Sequence, residues 1–311
     1  MLKRRALRKL ILPTALLFTL LLIYLIPKNE YIGEIEIVNN DIKLHDIYLV
    51  DKNNLVSLTK VEVNSTDILS LSKELLNILI NDDLEKIPSG FKTVLNSSTI
   101  VKDITYQDNI LKVVFNDKIV DVDIENEIKV IESIVYTLTS IKGIDYVVLY
   151  QDDKILTKLP KSGYNIPNLL NRRIGINKIY DTETLNTFNV TTYFIGNTNG
   201  KTYYIPVTKV TDNSLEKIEI VIEELSGNIS YNTNLKSYLN SNTKLIEVMK
   251  EEEVLKLSFN EYIFSDINEL SILEEVLYTI SLSAYDNYDI NDVIFMYNNE
   301  EIYKNLTKTI E

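Results

Sequence analysis

Within this chain of 311 residues, the series Asp121-x-Asp123-x-Glu125-Asn126-x-Ile128-x-x-x-Glu132 comes nearest to a ligand set. Oxygen donors at positions 1, 3, 5 and 12, with an apolar residue at 8, are what a calcium loop supplies. Asn126 at position 6 could take the left-handed turn such a loop needs. A second reading competes: acids just before and within the first turn of a helix are favoured by its dipole. Residues 113–120 lead into the series as a strand rather than a helix, and the second half of the chain has no counterpart. Helix-start acids are therefore the favoured reading, and no metal site is expected. Gly196-Asn197-Thr198-Asn199-Gly200-Lys201-Thr202 has three residues between its glycines where a phosphate loop has four, and residues 203–207 read as strand rather than helix. A hairpin turn is expected there. His45 is the single histidine and there is no cysteine, so thiol catalysis, zinc–thiolate sites, disulfides and a histidine metal cluster are excluded. His45 has no partner for base catalysis and is expected before the first strand, exposed or capping. Twenty tyrosines against eight phenylalanines invite a sugar-stacking reading, but tyrosine is also a good half-buried strand residue. No catalytic or cofactor-binding residues are expected, and the chain does not read as an enzyme.

The elements that must position these residues come in duplicate. Asp46-Ile47-Tyr48-Leu49-Val50 answers to Thr191-Thr192-Tyr193-Phe194-Ile195, and Thr59-Lys60-Val61 to Thr208-Lys209-Val210. Leu95-Asn96-Ser97-Ser98-Thr99 answers to Leu239-Asn240-Ser241-Asn242-Thr243, and Val114-Phe115-Asn116-Asp117 to Ser258-Phe259-Asn260-Glu261. Ile134-Val135-Tyr136-Thr137-Leu138 answers to Val276-Leu277-Tyr278-Thr279-Ile280, which would place Tyr136 and Tyr278 at equivalent positions. Five matches in one order, at spacings of 142 to 149, point to two copies of one domain. Each copy reads as a hairpin, a helix (Ile68, Leu71, Leu75, Ile78; Leu215, Ile218, Ile222, Leu225), two strands, a second helix and a closing strand. Asp67 and Ser214 are placed to cap the first helices. The second helices show Ile128, Ile131, Val135 and Leu138, matched by Leu270, Leu273, Leu277 and Ile280. The expected fold class is α+β: two similar ββαββαβ domains, helices packed on one face of a sheet, behind an N-terminal transmembrane helix.

Lys3, Arg4, Arg5, Arg8 and Lys9 precede an apolar run over residues 10–26, long enough at about 1.5 Å per residue for a short membrane span. No small-residue cleavage site follows it, so an uncleaved anchor is favoured over a signal peptide. The basic flank places the N-terminus in the cytoplasm and residues 31–311 outside. That outer part carries 26 basic and 44 acidic residues, which disfavours nucleic acid as a partner. The expected organisation is a basic flank and anchor over 1–30, a linker over 31–44, domain 1 over 45–156, a connector over 157–189, domain 2 over 190–304 and a tail over 305–311. Leu169, Leu170, Ile174, Ile176 and Ile179 in the connector predict that part of it packs against a domain.

Pro88-Ser89-Gly90-Phe91, Leu95 and Thr99, then Val135-Tyr136-Thr137-Leu138-Thr139 and Gly143-Ile144-Asp145-Tyr146-Val147-Val148-Leu149 resemble the GerM domain of bacterial sporulation and spore-germination proteins. In the second copy Leu235, Leu239, Thr243 and Leu277-Tyr278-Thr279-Ile280 fit, while Pro-x-Gly is missing. The resemblance implies a non-enzymatic envelope protein that is similar to ring-building modules of a channel around the developing spore. The expectation is a single-pass, outward-facing interaction protein of the cell membrane. Its partner would be another envelope or membrane protein, its cofactor none, and its soluble part monomeric alone. The alternative is an extracytoplasmic binding module for peptidoglycan or a small ligand.

Overall fold

The computed structural model describes residues 43–82, 85–227 and 234–306. Domain 1 opens with the hairpin β1 (Lys43–Asp51) and β2 (Val56–Val63), followed by helix α1 (Ile68–Ile80) and a short β3 (Phe91–Lys92). Strands β4 (Val101–Gln107) and β5 (Ile110–Phe115), helix α2 (Glu127–Leu138), β6 (Tyr146–Gln151) and β7 (Lys154–Ile155) complete it. After β8 (Ile179–Asp181) the order recurs as β9 (Phe188–Thr198), β10 (Lys201–Thr211), α3 (Lys217–Ser226), β11 (Leu245–Glu251), β12 (Val254–Phe259), α4 (Glu274–Asn287), β13 (Asp292–Tyr297) and β14 (Glu300–Leu306). The ββαββαβ order expected from periodicity is present in both halves. Among the described residues no helix is long and apolar enough to cross a membrane. The expected anchor, residues 10–26, lies outside the described residues.

The packing differs from one sheet with helices on a single face. Each domain holds a separate four-stranded mixed sheet, β4-β5-β6-β7 or β11-β12-β13-β14, in which the two central strands run parallel across a helical crossover. The hairpins form a further sheet of their own. Helix α2 is covered by both layers: residues 130–138 are buried without a break. A helix on one sheet face would bury a single stripe. Here Ile131, Ile134 and Leu138 join Leu111, Val113 and Phe115 of β5 in the domain core, while Tyr136 joins Tyr48, Val56, Leu58 and Tyr193 in a third apolar cluster between the domains.

The two hairpins share that third sheet, in the order β3-β1-β2-β10-β8 with β9 on β10. Strands β2 and β10 pair only through Leu58 and Tyr204. Asn177, in the connector, fills the rest of the seam. Its Oδ1 accepts the Val56 N–H at 3.0 Å, and its Nδ2 donates to the carbonyls of Val56 and Pro206 at 2.7 and 2.8 Å. The connector is therefore a structural element, as its apolar residues foretold: Leu170 and Ile176 are buried, although Leu169 is exposed.

The repeat register stands at 144 in β5 and β12, since Ile110 and Val254 occupy the same place in their sheets. Their parallel partners Tyr146 and Asp292 stand 146 apart, so copy 2 carries two extra residues between them. The matching of the second helices is consequently corrected. The Tyr48 N–H donates to Thr137 Oγ1 at 3.0 Å, and the Tyr193 N–H donates to Ser283 Oγ at 2.9 Å. Tyr136 thus corresponds to Leu282, one helical turn beyond Tyr278. Leu270 and Leu273 precede α4 rather than forming its first turn. An apolar helical stripe recurs every three to four residues, so a slip of one turn leaves the pattern intact. A smaller correction concerns α3: Asp67 does cap α1, accepting the Ser70 N–H at 3.0 Å, but α3 starts after Glu216, whose N–H is met by the Glu219 carboxylate, and not at Ser214.

Replacing Asn177 tests the seam. Its backbone has φ +47°, and Val56 is fully buried. Asn177→Ala leaves buried amide groups unpaired, at about 1–3 kcal/mol, and sets a β-carbon in the left-handed region for about 1 kcal/mol more. Unfolding by urea should therefore show a loss of about 2–4 kcal/mol, and a loss below about 0.5 kcal/mol would contradict the stitching role.

Candidate functional site

The acidic series does not converge. Asp121 pairs with Lys118 Nζ at 3.2 Å, the Asp123 carbonyl receives the Asn126 N–H at 2.8 Å in a 3-10 turn, and Glu125 is exposed. Glu132 points the other way, buried on α2. Among the described residues no three acidic or histidine side chains are gathered so that they could hold a metal ion. The series leads through the 3-10 turn into the first turn of α2. Its first helical acid, Glu127, is buried and takes the backbone N–H groups of Lys161 and Ser162 at 2.7 Å each. Burial raises that carboxyl, and the Ser162 side chain, the two amides and the charge of Lys161 together more than offset it, leaving it below the usual range. His45 lies within β1 opposite Val61 and half-buried, not before the strand; burial and Lys43 lower its pKa.

Gly196 to Thr202 form the β9–β10 turn, with Asn199 and Gly200 both at positive φ. This turn reaches domain 1. The Tyr203 hydroxyl donates to Asp51 Oδ2 at 2.8 Å, Lys52 Nζ donates to the Asn197 carbonyl at 3.0 Å, and Asn199 Nδ2 donates to Ser89 Oγ at 2.9 Å. Gly90, at φ +91°, lies so close that a β-carbon there would stand 2.4 Å from Thr198 Oγ1. The Pro-x-Gly turn of copy 1 is therefore part of the contact with copy 2.

The most concentrated polar chemistry sits beside this contact, around Arg172. Its Nη1 donates to Asp286 Oδ1 at 2.7 Å, to the Tyr48 hydroxyl at 3.1 Å and to the Tyr193 hydroxyl at 3.2 Å. Its Nη2 donates to the Tyr136 carbonyl at 3.2 Å and its Nε to Thr139 Oγ1 at 3.1 Å. The guanidinium also lies over the rings of Tyr48 and Tyr136. Tyr193 donates its hydroxyl hydrogen to Asp286 Oδ2 at 2.8 Å, so the 2.9 Å contact between the two hydroxyls has Tyr48 as donor. Tyr48 and Tyr193 are repeat equivalents that meet across the interface, while the residue of copy 1 corresponding to Asp286 is Ser140. One arginine thus finds one carboxylate.

The electrostatics of the cluster favour holding over reacting. Burial raises the phenols of Tyr48, Tyr136 and Tyr193, with Asp286 adding to the shift and Arg172 opposing it. They are neutral donors at physiological pH and poor nucleophiles. Burial works against the charge on Arg172, but Asp286 and the tyrosines outweigh it and keep the guanidinium charged. The arrangement is a closed interdomain clamp. Sequence reasoning passed over Arg172 and Asp286, although one signal was available: beyond residue 30 the chain has 24 lysines and only two arginines, Arg172 and Arg173. A fork of donors held in a plane is what arginine offers and lysine does not.

Asp286 has a side chain only 3% exposed, so Arg172→Ala leaves a buried carboxylate unpaired. Denaturant unfolding should report a loss of about 3–5 kcal/mol. Arg172→Met combined with Asp286→Leu should lose markedly less, and equal losses would refute the pairing. A second measurement concerns Glu132, which accepts the backbone N–H of Asn177. Burial outweighs this bond and the charges of Lys178 and Lys129, pushing the carboxyl from 4.5 up to about 8. Between those values the folded chain holds a proton that the unfolded chain releases, so stability falls as pH rises through the window, by at most about 1.4 kcal/mol per unit. Glu132→Gln should remove this slope and be the more stable protein near pH 8; parallel pH curves for parent and variant would contradict it.

The family described as "Germane: Sporulation and spore germination" matches twice, over residues 46–157 and 191–303. The spore germination protein GerM of Bacillus subtilis (strain 168) is 30% identical over 260 residues, covering 80% of this chain and 70% of that protein. The solved tandem GerMN domains of the sporulation protein GerM from Bacillus subtilis match with a TM-score of 0.74 at 28% identity, over 83% of this chain and 92% of that one. The two matched spans coincide with the two copies recognised by their internal repeat. The chain belongs to the Germane family of sporulation and spore germination, and it carries the family's domain twice.

Proposed function

We propose that this protein is a membrane-tethered, outward-facing assembly protein of the cell envelope that acts in sporulation or germination by binding another envelope protein. The observation that carries the reading is the Arg172 clamp. The most elaborate polar network among the described residues is turned inward to fix one domain against the other, as a binding scaffold requires. The clamp presents both mixed sheets at fixed positions, each with an outer strand, β4 or β11, paired on one side only. Open strand edges must be used or blunted, and both carry an irregularity at the same place, between Val101 and Asp103 and between Leu245 and Glu247. That blunting, with the net charge of −13, supports an isolated chain that stays monomeric and a partner with a basic surface. A ring- or channel-type assembly is the form the family resemblance suggests.

Cutting the tandem would expose Tyr48, Tyr193 and Asp286, so the reading is tested with both domains joined. Deleting the gene in its own host should lower the yield of spores or of germinating spores. The intact chain should restore it, and a chain without residues 1–42 should not. A C-terminal tag on the intact protein should be digested by protease added to wall-stripped cells. Protection of the tag, or unchanged sporulation and germination after deletion, would overturn the proposal.

A further inference from the structure

A cluster of exposed apolar side chains stands on a closed loop immediately before α4. The Ser265 N–H donates to the Ser271 carbonyl at 2.8 Å, and the Ser271 N–H returns to the Asp266 carbonyl at 2.9 Å. Asp266 Oδ1 accepts the Asn268 N–H at 2.8 Å inside the closed loop. The backbone is thus cinched rather than loose, yet it projects apolar side chains: Ile267 is 49% exposed, Leu270 40% and Leu273 42%. Leu270 has φ +50°, a conformation that a branched L side chain adopts only where its surroundings impose it. Copy 1 has no such loop. Its corresponding stretch passes from Asp121 straight into the 3-10 turn, and the two extra residues of copy 2 fall in the span that contains the knob. The cinched loop therefore belongs to domain 2 alone, although copy 1 also exposes an apolar side chain at the equivalent place, Ile124 at 59%.

The charge around it limits what can cover it. Residues 257–303 contain ten acids and no lysine or arginine, and exposed Asp266, Glu269 and Glu274 flank the knob. An anionic bilayer would be repelled, and so would a second copy of a chain with net charge −13. We propose that the knob formed by Ile267, Leu270 and Leu273 docks into an apolar pocket rimmed by lysine or arginine on a partner protein. The proposal rests on the assembly reading and assigns that reading a surface. Apolar side chains would anchor the contact, and the acidic rim would select the partner.

The full-length chain in its host membrane is the material for the test. A photo-cross-linking amino acid is placed at position 270, at 124 in the corresponding stretch of domain 1, and at exposed Tyr180. Position 270 should give one discrete adduct with a different protein, joined at apolar residues neighbouring lysine or arginine. Its yield should fall at least about fivefold in Glu269→Gln/Glu274→Gln and as salt is raised, while the variant still unfolds cooperatively and loses no more than the small stability expected for a first-turn acid of α4. An adduct with lipid, an adduct of two copies, or a yield indifferent to both charges and salt would overturn the proposal. Adducts from 124 or 180 but none from 270 would remove the knob and leave the assembly reading standing. No adduct from any position would count against both.

Discussion

Arg172 is the group on which the geometry of the tandem depends. It stands on a connector between two copies of one domain and bonds to both: Tyr48, Tyr136 and Thr139 on one side, Tyr193 and Asp286 on the other. Taking a guanidinium and a carboxylate out of water costs several kcal/mol per ion, and their attraction offsets that only when the remaining hydrogen bonds are also made. Here they are made. A pair of this kind adds less net stability than well-packed apolar side chains would, but it tolerates only one docking of its partners. The apolar cluster around Tyr48, Val56, Leu58 and Tyr193 supplies the burial, and the clamp holds the orientation together with the Asn177 seam and the bonds of the β9–β10 turn.

The copies share more than secondary structure. Asn116 Oδ1 accepts the Ile100 N–H and its Nδ2 donates to the Ser98 carbonyl, and Asn260 repeats both bonds with Lys244 and Asn242. Thr99 and Thr243 likewise reach the corresponding carbonyls of Lys118 and Tyr262. These bonds hold the start of the mixed sheet in the same way in both copies. The differences lie where the copies meet or face outward. Asp286 stands where copy 1 has Ser140, Gly90 makes room for Thr198, and the cinched loop before α4 has no twin. Symmetry maintains the domains, and departures from it give the pair its interface and its outer surface.

Much of this was legible beforehand for local reasons. Alternating apolar residues specify strands, 3-4-3 spacing specifies helices, and Asn-Gly at 199–200 specifies a tight turn; each is a property of neighbours in the chain. The internal repeat carried the domain count, and the apolar residues of the connector showed that it must pack. Local periodicity also explains the errors. It could not register α4 to better than one turn, because a helical stripe looks the same after four residues. The single-layer reading also missed that α2 is buried on all sides.

The sequence alone determined two α+β units in tandem, the absence of thiol or histidine-cluster chemistry, and the family resemblance that the comparisons bore out. Only the tertiary structure decided how the units are joined. Arg172 and Asp286 are 114 positions apart, and Tyr48 and Tyr193 are 145 apart. Nothing in their neighbours marks any of them as a partner. A hydrogen bond acts over about 3 Å, so groups far apart in the chain become partners only when folding brings the two domains together.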